Sequence, residues 1–405
     1  MTFRLALSGL NAAQTDLSVT ANNIANTATA GFKSSRAEFA ELFAVSPQGV
    51  SSLATGNGVK VSDINQQFGQ GNVDFTDNNL DLAISGDGFF TLSDNGATVY
   101  SRAGGFKTDA AGYVINAAGQ RLQVFPPTST GGFNTGSLGD LRLNANESAP
   151  SPTANVEILM NLPSSDTAPP TAAFDPADTS SYNRATSMTV YDSLGAAHTA
   201  TLYFTHGATA NTWDTRLYVD GTAVGGAQGL SFTNTGALTA PATGEIAFPA
   251  YTPATGAAAM NMTFDFGGAT QYGNTFGVNA VNQDGFTTGR LIGMDIDKSG
   301  IVQARYTNGR SSTLGQVALS NFANPNGLQQ LADTNWAETF GSGQALRGQA
   351  GNSGFGLIQS GALEASNVDI TEQLVNMITA QRNFQANAQM ISTSDQITQT
   401  IINIR

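Results

Sequence analysis

The sequence predicts a mainly β chain: nested antiparallel β domains with long N- and C-terminal α-helices that pair in a coiled-coil-like inner domain. Three observations carry this expectation. The stretch from Ser366 to the C-terminus holds neither glycine nor proline, in a chain with 45 glycines and 13 prolines. Within it, apolar or neutral residues recur in alternating steps of four and three at Ile370, Leu374, Met377, Gln381, Phe384, Ala388 and Ile391, the spacing of a coiled-coil seam. Between the two ends, from Gly69 onward, the apolar period changes to two and is punctuated by turn residues, as in half-buried strands.

Ser366 and Asp369 stand at capping-box spacing, which places the start of the last helix at Ser366. Running to about Ile402, it would be roughly 55 Å long at about 1.5 Å per residue. Met390, Ile397, Ile401 and Ile404 continue a stripe displaced by one position. The N-terminal partner follows the same alternation at Phe3, Leu7, Leu10, Gln14, Leu17, Ala21 and Ile24, and is expected to end near Gly31 as the C′ residue, with Asn22, Asn23 and Asn26 capping or turning the backbone. The pairing can be within one chain or between chains. The C-terminal stretch carries only Asp369, Glu372, Arg382, Asp395 and Arg405 as charged side chains and is otherwise rich in Asn and Gln. A long solvent-facing helix usually shows Lys and Glu outside, so this quiet surface suits a crowded helical assembly in which Gln373 faces away from the seam.

Residues 31–70 read as a connector, with Ser35–Phe43 as an amphipathic helical stretch, 47–58 as loop and Val59 opening a strand. Residues 71–144 and 285–365 read as two halves of one discontinuous middle β domain. In the first, Val73, Phe75, Leu80, Leu82, Ile84, Phe89 and Phe90 alternate with turns such as Gly86-Asp87-Gly88. In the second, hairpin turns are expected at Asp297–Gly300 and Asn308-Gly309. Residues 145–284 read as an inserted outer β domain with prolines crowding its entrance. Arg184 and Arg216 are its only lysine or arginine residues, so the acidic balance of the chain is concentrated there.

The formal net charge of −13 and sequence pI near 4.4 argue against nucleic-acid binding. Cysteine is absent, which removes disulfides, thiolate nucleophiles and cysteine metal sites. No run approaches the eighteen or more apolar residues of a membrane span, so no membrane insertion is expected. The N-terminus has no basic-then-apolar secretory signal; export without a cleaved signal stays open. His198 and His206 lack zinc spacing and read as exposed polar residues. Asp77, Asp81 and Asp87 lack the alternation and closing glutamate of a calcium loop. The short glycine pairs lack a phosphate-loop lysine, and no serine has nucleophile-elbow surroundings. No catalytic residue, metal or cofactor is expected, and the chain is not read as an enzyme.

Three ordered motifs carry a family likeness. Ala21-Asn22-Asn23-Ile24-Ala25-Asn26 followed by Thr29-Ala30-Gly31-Phe32-Lys33 resembles the signature of the bacterial flagellar rod and hook family. Leu80-Asp81-Leu82-Ala83-Ile84 leading to Gly88-Phe89-Phe90 resembles its central motif. The run Asn367-Val368-Asp369, Glu372-Gln373-Leu374, Met377, Gln381-Arg382-Asn383-Phe384, Asn387 and Asp395 resembles its C-terminal one. Two positions depart from the usual pattern: Phe384 stands where a tyrosine is usual, and Gln373 where a methionine is. The 145–284 insertion resembles the longer, hook-forming members. The resemblance implies a subunit that leaves the cell unfolded through the flagellar export apparatus without a cleaved signal. It would polymerise with itself under a hook-capping protein into a curved, flexible tube outside the cell that transmits motor torque. Its implied neighbours are the distal rod protein and the hook–filament junction protein. Two other readings stay open: a distal rod protein of the same family, and a secreted β-rich binding or carbohydrate-active protein.

Overall fold

A computed structural model describes residues 2–42, 56–129, 131–143 and 147–403. The chain divides into two compact units. The first comprises Met1–Asn144, Gly293–Arg305 and Ser311–Arg405; the second comprises Ala145–Ile292 and Tyr306–Arg310. The excursion expected over 145–284 falls within the second of these units.

The first unit begins with helix α1 (Thr2–Ala25) and ends with helix α2 (Ile370–Asn403). α1 stops at Ala25 rather than near Gly31. The Asn26 side chain donates to the Asn22 carbonyl at 2.9 Å and accepts from the Thr29 hydroxyl at 3.1 Å, so the asparagines wind the chain into turns before Gly31 is reached.

The expected helix at Ser35–Phe43 is instead a strand, Ser35–Glu41, paired antiparallel with Val59–Gln66. Ala37 faces Ile64 and Phe39 faces Val61 across the pair. A short apolar run fits either period, and here an available partner edge decides for the strand. Phe43 and most of the expected 47–58 loop lie outside the described residues.

A 12-stranded sheet forms the body of this unit. Leu82, Ile84, Phe90, Leu92, Leu122, Val302, Val317, Leu319 and Ile358 are buried together in its main core. Two short pairings weave the chain's early and late parts together: Val73–Phe75 with Ala362–Glu364, and Leu82–Ser85 with Leu357–Ser360. A smaller aromatic cluster of Phe89, Tyr100, Phe322 and Trp336 is joined by Phe68, and the Trp336 indole donates to Gln66 Oε1 at 2.7 Å.

The second unit is two five-stranded sheets sharing one core. Asn155–Pro163 alternates outward and buried side chains, sending Val156, Ile158, Met160 and Leu162 inward against Leu202, Phe204, Trp213 and Phe264. Pairing is antiparallel except that Asn155–Pro163 runs parallel to Thr263–Asp265 and Thr270–Tyr272. His198, expected to be exposed, is buried here. Its Nδ1 lies 2.6 Å from Asp220 Oδ2 and its Nε2 lies 3.2 Å from Asp192 Oδ2. Two carboxylates satisfy both ring nitrogens, which is what allows the burial.

Candidate assembly surface of the terminal helices

α1 and α2 pack antiparallel: Gly9 lies against Asn387, and Asn23 lies against Gln373. The side of α1 that is covered reads Ala6, Gly9, Ala13, Thr20 and Asn23, in the expected steps of three and four or their sum. On α2 the matching residues are Gln373, Ala380 and Asn387. The most buried positions of the seam are therefore small and amide side chains. A Cβ on Gly9 would come within 2.5 Å of Asn387 Oδ1, so a side chain there would need the Asn387 amide to move aside.

The large apolar residues expected in the seam divide into two groups. Leu10, Leu17, Ile24, Met377, Phe384 and Ile391 are half-buried on the same helical phase as the covered residues. Phe3 is 46% exposed and Ile370 51%, and Leu7 and Leu374 are also exposed, as are their neighbours Val375 and Ile378. Gln373, expected to face away, points at α1 and accepts the Asn23 amide at 3.1 Å. The folded hairpin uses one stripe of each helix and leaves a second apolar stripe uncovered.

The start of α2 also differs from expectation. Asp369 is the N-cap, not the third residue of a helix begun at Ser366. Its Oδ1 accepts from the amides of Thr371 at 2.7 Å and Glu372 at 3.3 Å. Ser366 Oγ has no hydrogen-bond partner among the described residues. A carboxylate caps the positive end of the helix better than the more distant hydroxyl does.

Asn23 is the hub of the hairpin's base. Besides its bond to Gln373, its side chain donates to the Ser35 carbonyl at 2.8 Å and accepts the Ser35 amide at 2.9 Å. Asn367 ties the other side: Oδ1 accepts the Ser34 amide at 2.7 Å and Nδ2 donates to the Gln67 carbonyl at 2.7 Å. Gly31 has φ +69°, and a Cβ there would strike the Arg102–Ala103 backbone. Only glycine fits both demands. Its amide donates to the Glu364 carbonyl at 2.7 Å.

Beneath this joint lies a buried ionic cluster. Lys33 Nζ is 2.6 Å from Glu364 Oε1, and the Arg102 guanidinium is 3.3 Å from Oε2. Lys33 also donates to the Gly69 carbonyl at 2.8 Å, and the Gly71 amide reaches Glu364 at 3.0 Å. Burial pulls the Lys33 ammonium below its usual pKa, against the opposing pull of Glu364. Burial does the same to Arg102, which also stacks over Phe89 at 5.4 Å. Glu364 thus joins Lys33, 331 residues earlier, to Arg102 on the middle sheet.

The remaining motif residues are structural. Phe32 is buried. Asp81 accepts from Thr76 at 2.8 Å and Asn78 at 3.0 Å, closing a turn. Gly88 has φ +119° and delivers Phe89 into the aromatic cluster. Asn22, Gln381 and Arg382 are exposed. Sequence reasoning marks Lys33 only within a motif and does not foresee its pairing with Glu364 and Arg102 or the Asn23–Ser35 contact. The available signal was the rarity of charge: only 12% of residues are charged, so a lysine directly after Gly31-Phe32 calls for a buried counter-charge.

Four family models match consecutive parts of the chain. They are a flagella basal body rod protein (residues 3–33), the flagellar hook protein FlgE/F/G D1 domain (83–158), the flagellar basal body protein FlaE D2 domain (161–286) and the flagellar basal body rod FlgEFG protein C-terminal region (359–404). Flagellar hook protein FlgE of Salmonella typhimurium is 40% identical over 416 residues, covering 100% of both chains. Those of Rhizobium meliloti (35%; 100% of this chain and 98% of that one) and Borreliella burgdorferi (33%; 98% of each) match as fully. Among solved structures, Helicobacter pylori flagellar hook protein FlgE2 aligns with a TM-score of 0.54 at 14% identity, over 72% of this chain and 100% of that one. That structure shares the fold, and the full-length identity to curated relatives goes further: this chain belongs to the flagellar hook protein family.

Proposed function

We propose that this chain is the repeating subunit of the flagellar hook and polymerises with itself through the outward faces of its terminal helices. The observation that carries this reading is the uncovered stripe. α1 and α2 already cover one face of each other, yet Phe3, Leu7, Ile370, Leu374, Val375 and Ile378 remain in solvent. Burying such surface stabilises an assembly by about 25 cal/mol per Å², and neighbouring copies supply the matching surface. The scarcity of charge on both helices removes the repulsion that would otherwise keep many copies apart.

On this reading, 1–30 with 366–405 is the helical core, 31–70 the connector, 71–144 with 285–365 the middle β domain and 145–284 the inserted outer one. The tube bends as a universal joint while the helical core holds. The hook-capping protein, distal rod protein, hook–filament junction protein and export apparatus are its partners, and it reaches the cell exterior without a cleaved signal peptide. The membership of a structural family supports a non-enzymatic role.

Electron microscopy of purified chain tests the central claim. Deleting residues 366–405 abolishes tube formation while the β units keep their near-native circular dichroism. Tubes formed by the truncated chain would sink the reading.

A further inference from the structure

A cleft of 260 Å³ opens where α1, the start of α2 and the 35–41 strand meet, lined by Asp16, Thr20, Arg36, Asp369, Glu372 and Asn376 among others. Its charges are unbalanced. Arg36, the one basic residue of the lining, is paired with Glu38 at 3.1 Å. Asp369 is engaged in capping α2. Asp16 makes no hydrogen bond or ion pair among the described residues, and burial raises its pKa. Thr20 is only 4% exposed, and its hydroxyl has no partner among the described residues. A hydroxyl that opens on the cleft without a protein partner and a partly desolvated carboxylate without a counter-charge both suit a cation that also donates hydrogen bonds.

Farther along α2, Arg382 is exposed and has no ion pair among the described residues. It stands ten residues beyond Glu372, about 15 Å along the axis, and two beyond buried Ala380, about 200° around it. It points away from α1 and cannot reach the cleft of its own chain.

We propose that this cleft receives the Arg382 guanidinium of a second copy of this chain. The proposal rests on the homopolymer reading above and deepens it by naming one contact. The planar guanidinium donates to the carboxylates of Asp16 and Glu372 and to the Thr20 hydroxyl, a geometry a lysine ammonium reproduces poorly. Donor and acceptor occupy different faces of the same hairpin. The contact is therefore heterologous: it passes from copy to copy instead of closing a symmetric pair, as a helical polymer requires.

The test uses full-length chain and the concentration needed for polymerisation, read by sedimentation and electron microscopy. Arg382→Glu is expected to raise that concentration at least tenfold with unchanged helical circular dichroism. Adding Glu372→Arg to the same chain brings it back to within about threefold of the wild type, whereas Lys107→Glu, on the exposed side of the β body, leaves it near the wild-type value. The proposal is overturned if Arg382→Glu polymerises like the wild type, if the double reversal restores nothing, or if Lys107→Glu is as damaging. Failure of the wild-type chain itself to polymerise would instead remove the homopolymer reading, and this contact with it.

Discussion

The Asn23 side chain donates to Gln373 Oε1 at 3.1 Å across 350 residues of sequence, and the same amide brackets the Ser35 backbone with two further bonds. One buried side chain thus joins the first helix, the last helix and the first strand. Removing it strands three groups at once.

Asn23→Ala is expected to destabilise the first unit by about 1–3 kcal/mol, because buried partners are left unsatisfied. Gln373→Ala removes a single bond and should cost about 0.5–1.5 kcal/mol. Urea unfolding of both variants checks the order. A smaller effect for Asn23→Ala than for Gln373→Ala would contradict the hub role.

Lys33→Met leaves Glu364 buried with Arg102 as its remaining cationic partner. Breaking one side of a buried ionic cluster costs about 3–5 kcal/mol. Pairing it with Glu364→Gln removes the uncompensated carboxylate, so the double variant should be more stable than the sum of the two single losses. Additivity in a double-mutant cycle would mean the pair is not coupled.

The Asp369 cap predicts an asymmetry with its neighbour Ser366. Asp369→Ala should cost about 1 kcal/mol and speed hydrogen exchange in the first turn of α2. Ser366→Ala should be near neutral, since its hydroxyl has no partner among the described residues. Equal effects would restore Ser366 as the helix start.

His198 sets a pH window for the second unit. Burial opposes the charged ring, but the hydrogen bonds to Asp220 and Asp192 outweigh it and raise the His198 pKa. That contribution is complete below the unfolded histidine value of about 6.5 and is lost as pH rises through the raised folded value. Burial likewise opposes the Asp192 carboxylate, but its bonds to His198, Thr255 and backbone amides hold it down at about 2. Asp220 is lowered too, again against burial, chiefly by its bond to His198. Their contribution is present above the unfolded value of about 3.9 and fades as pH falls toward the folded values. The second unit should be most stable from about pH 4 to 6.5. In a Trp336→Phe background, Trp213 fluorescence reports this unit alone, and His198→Gln should flatten the alkaline limb of its melting temperature against pH. An unchanged limb would show that His198 is not the titrating group.

Much of this architecture is legible in the sequence. The two terminal helices, the change to a period of two, the turns at Asp297–Gly300 and Asn308-Gly309, and the excursion beginning near 145 all follow from local signals. What spacing does not reveal is which of two adjacent stripes the partner helix covers. Leu10, Leu17, Met377 and Phe384 of the expected seam turn toward the covered side, while Leu7 and Leu374 of the same spacing stay exposed. Ser35–Glu41 is a strand because Val59–Gln66 offers it a partner edge, and the local pattern of 35–43 does not show which strand will pair with it. His198 was read as exposed because nothing near it in sequence announces Asp220. The Lys33–Glu364–Arg102 cluster joins residues from three distant segments, and no local pattern encodes a meeting of that kind.

The pairings of Val73–Phe75 with Ala362–Glu364 and of Leu82–Ser85 with Leu357–Ser360 impose an order of events. The second unit draws on one nearly continuous stretch and closes its core from within it. The first unit cannot: Val73–Phe75, Leu82–Ser85, the Lys33 ammonium and the side of α1 that packs on α2 wait for residues beyond 357. Loop closure over such a span is slow compared with local pairing. Synthesised or exported from its first residue, the chain keeps α1 unpaired until its end emerges, so completion of the subunit is timed by the arrival of its last fifty residues.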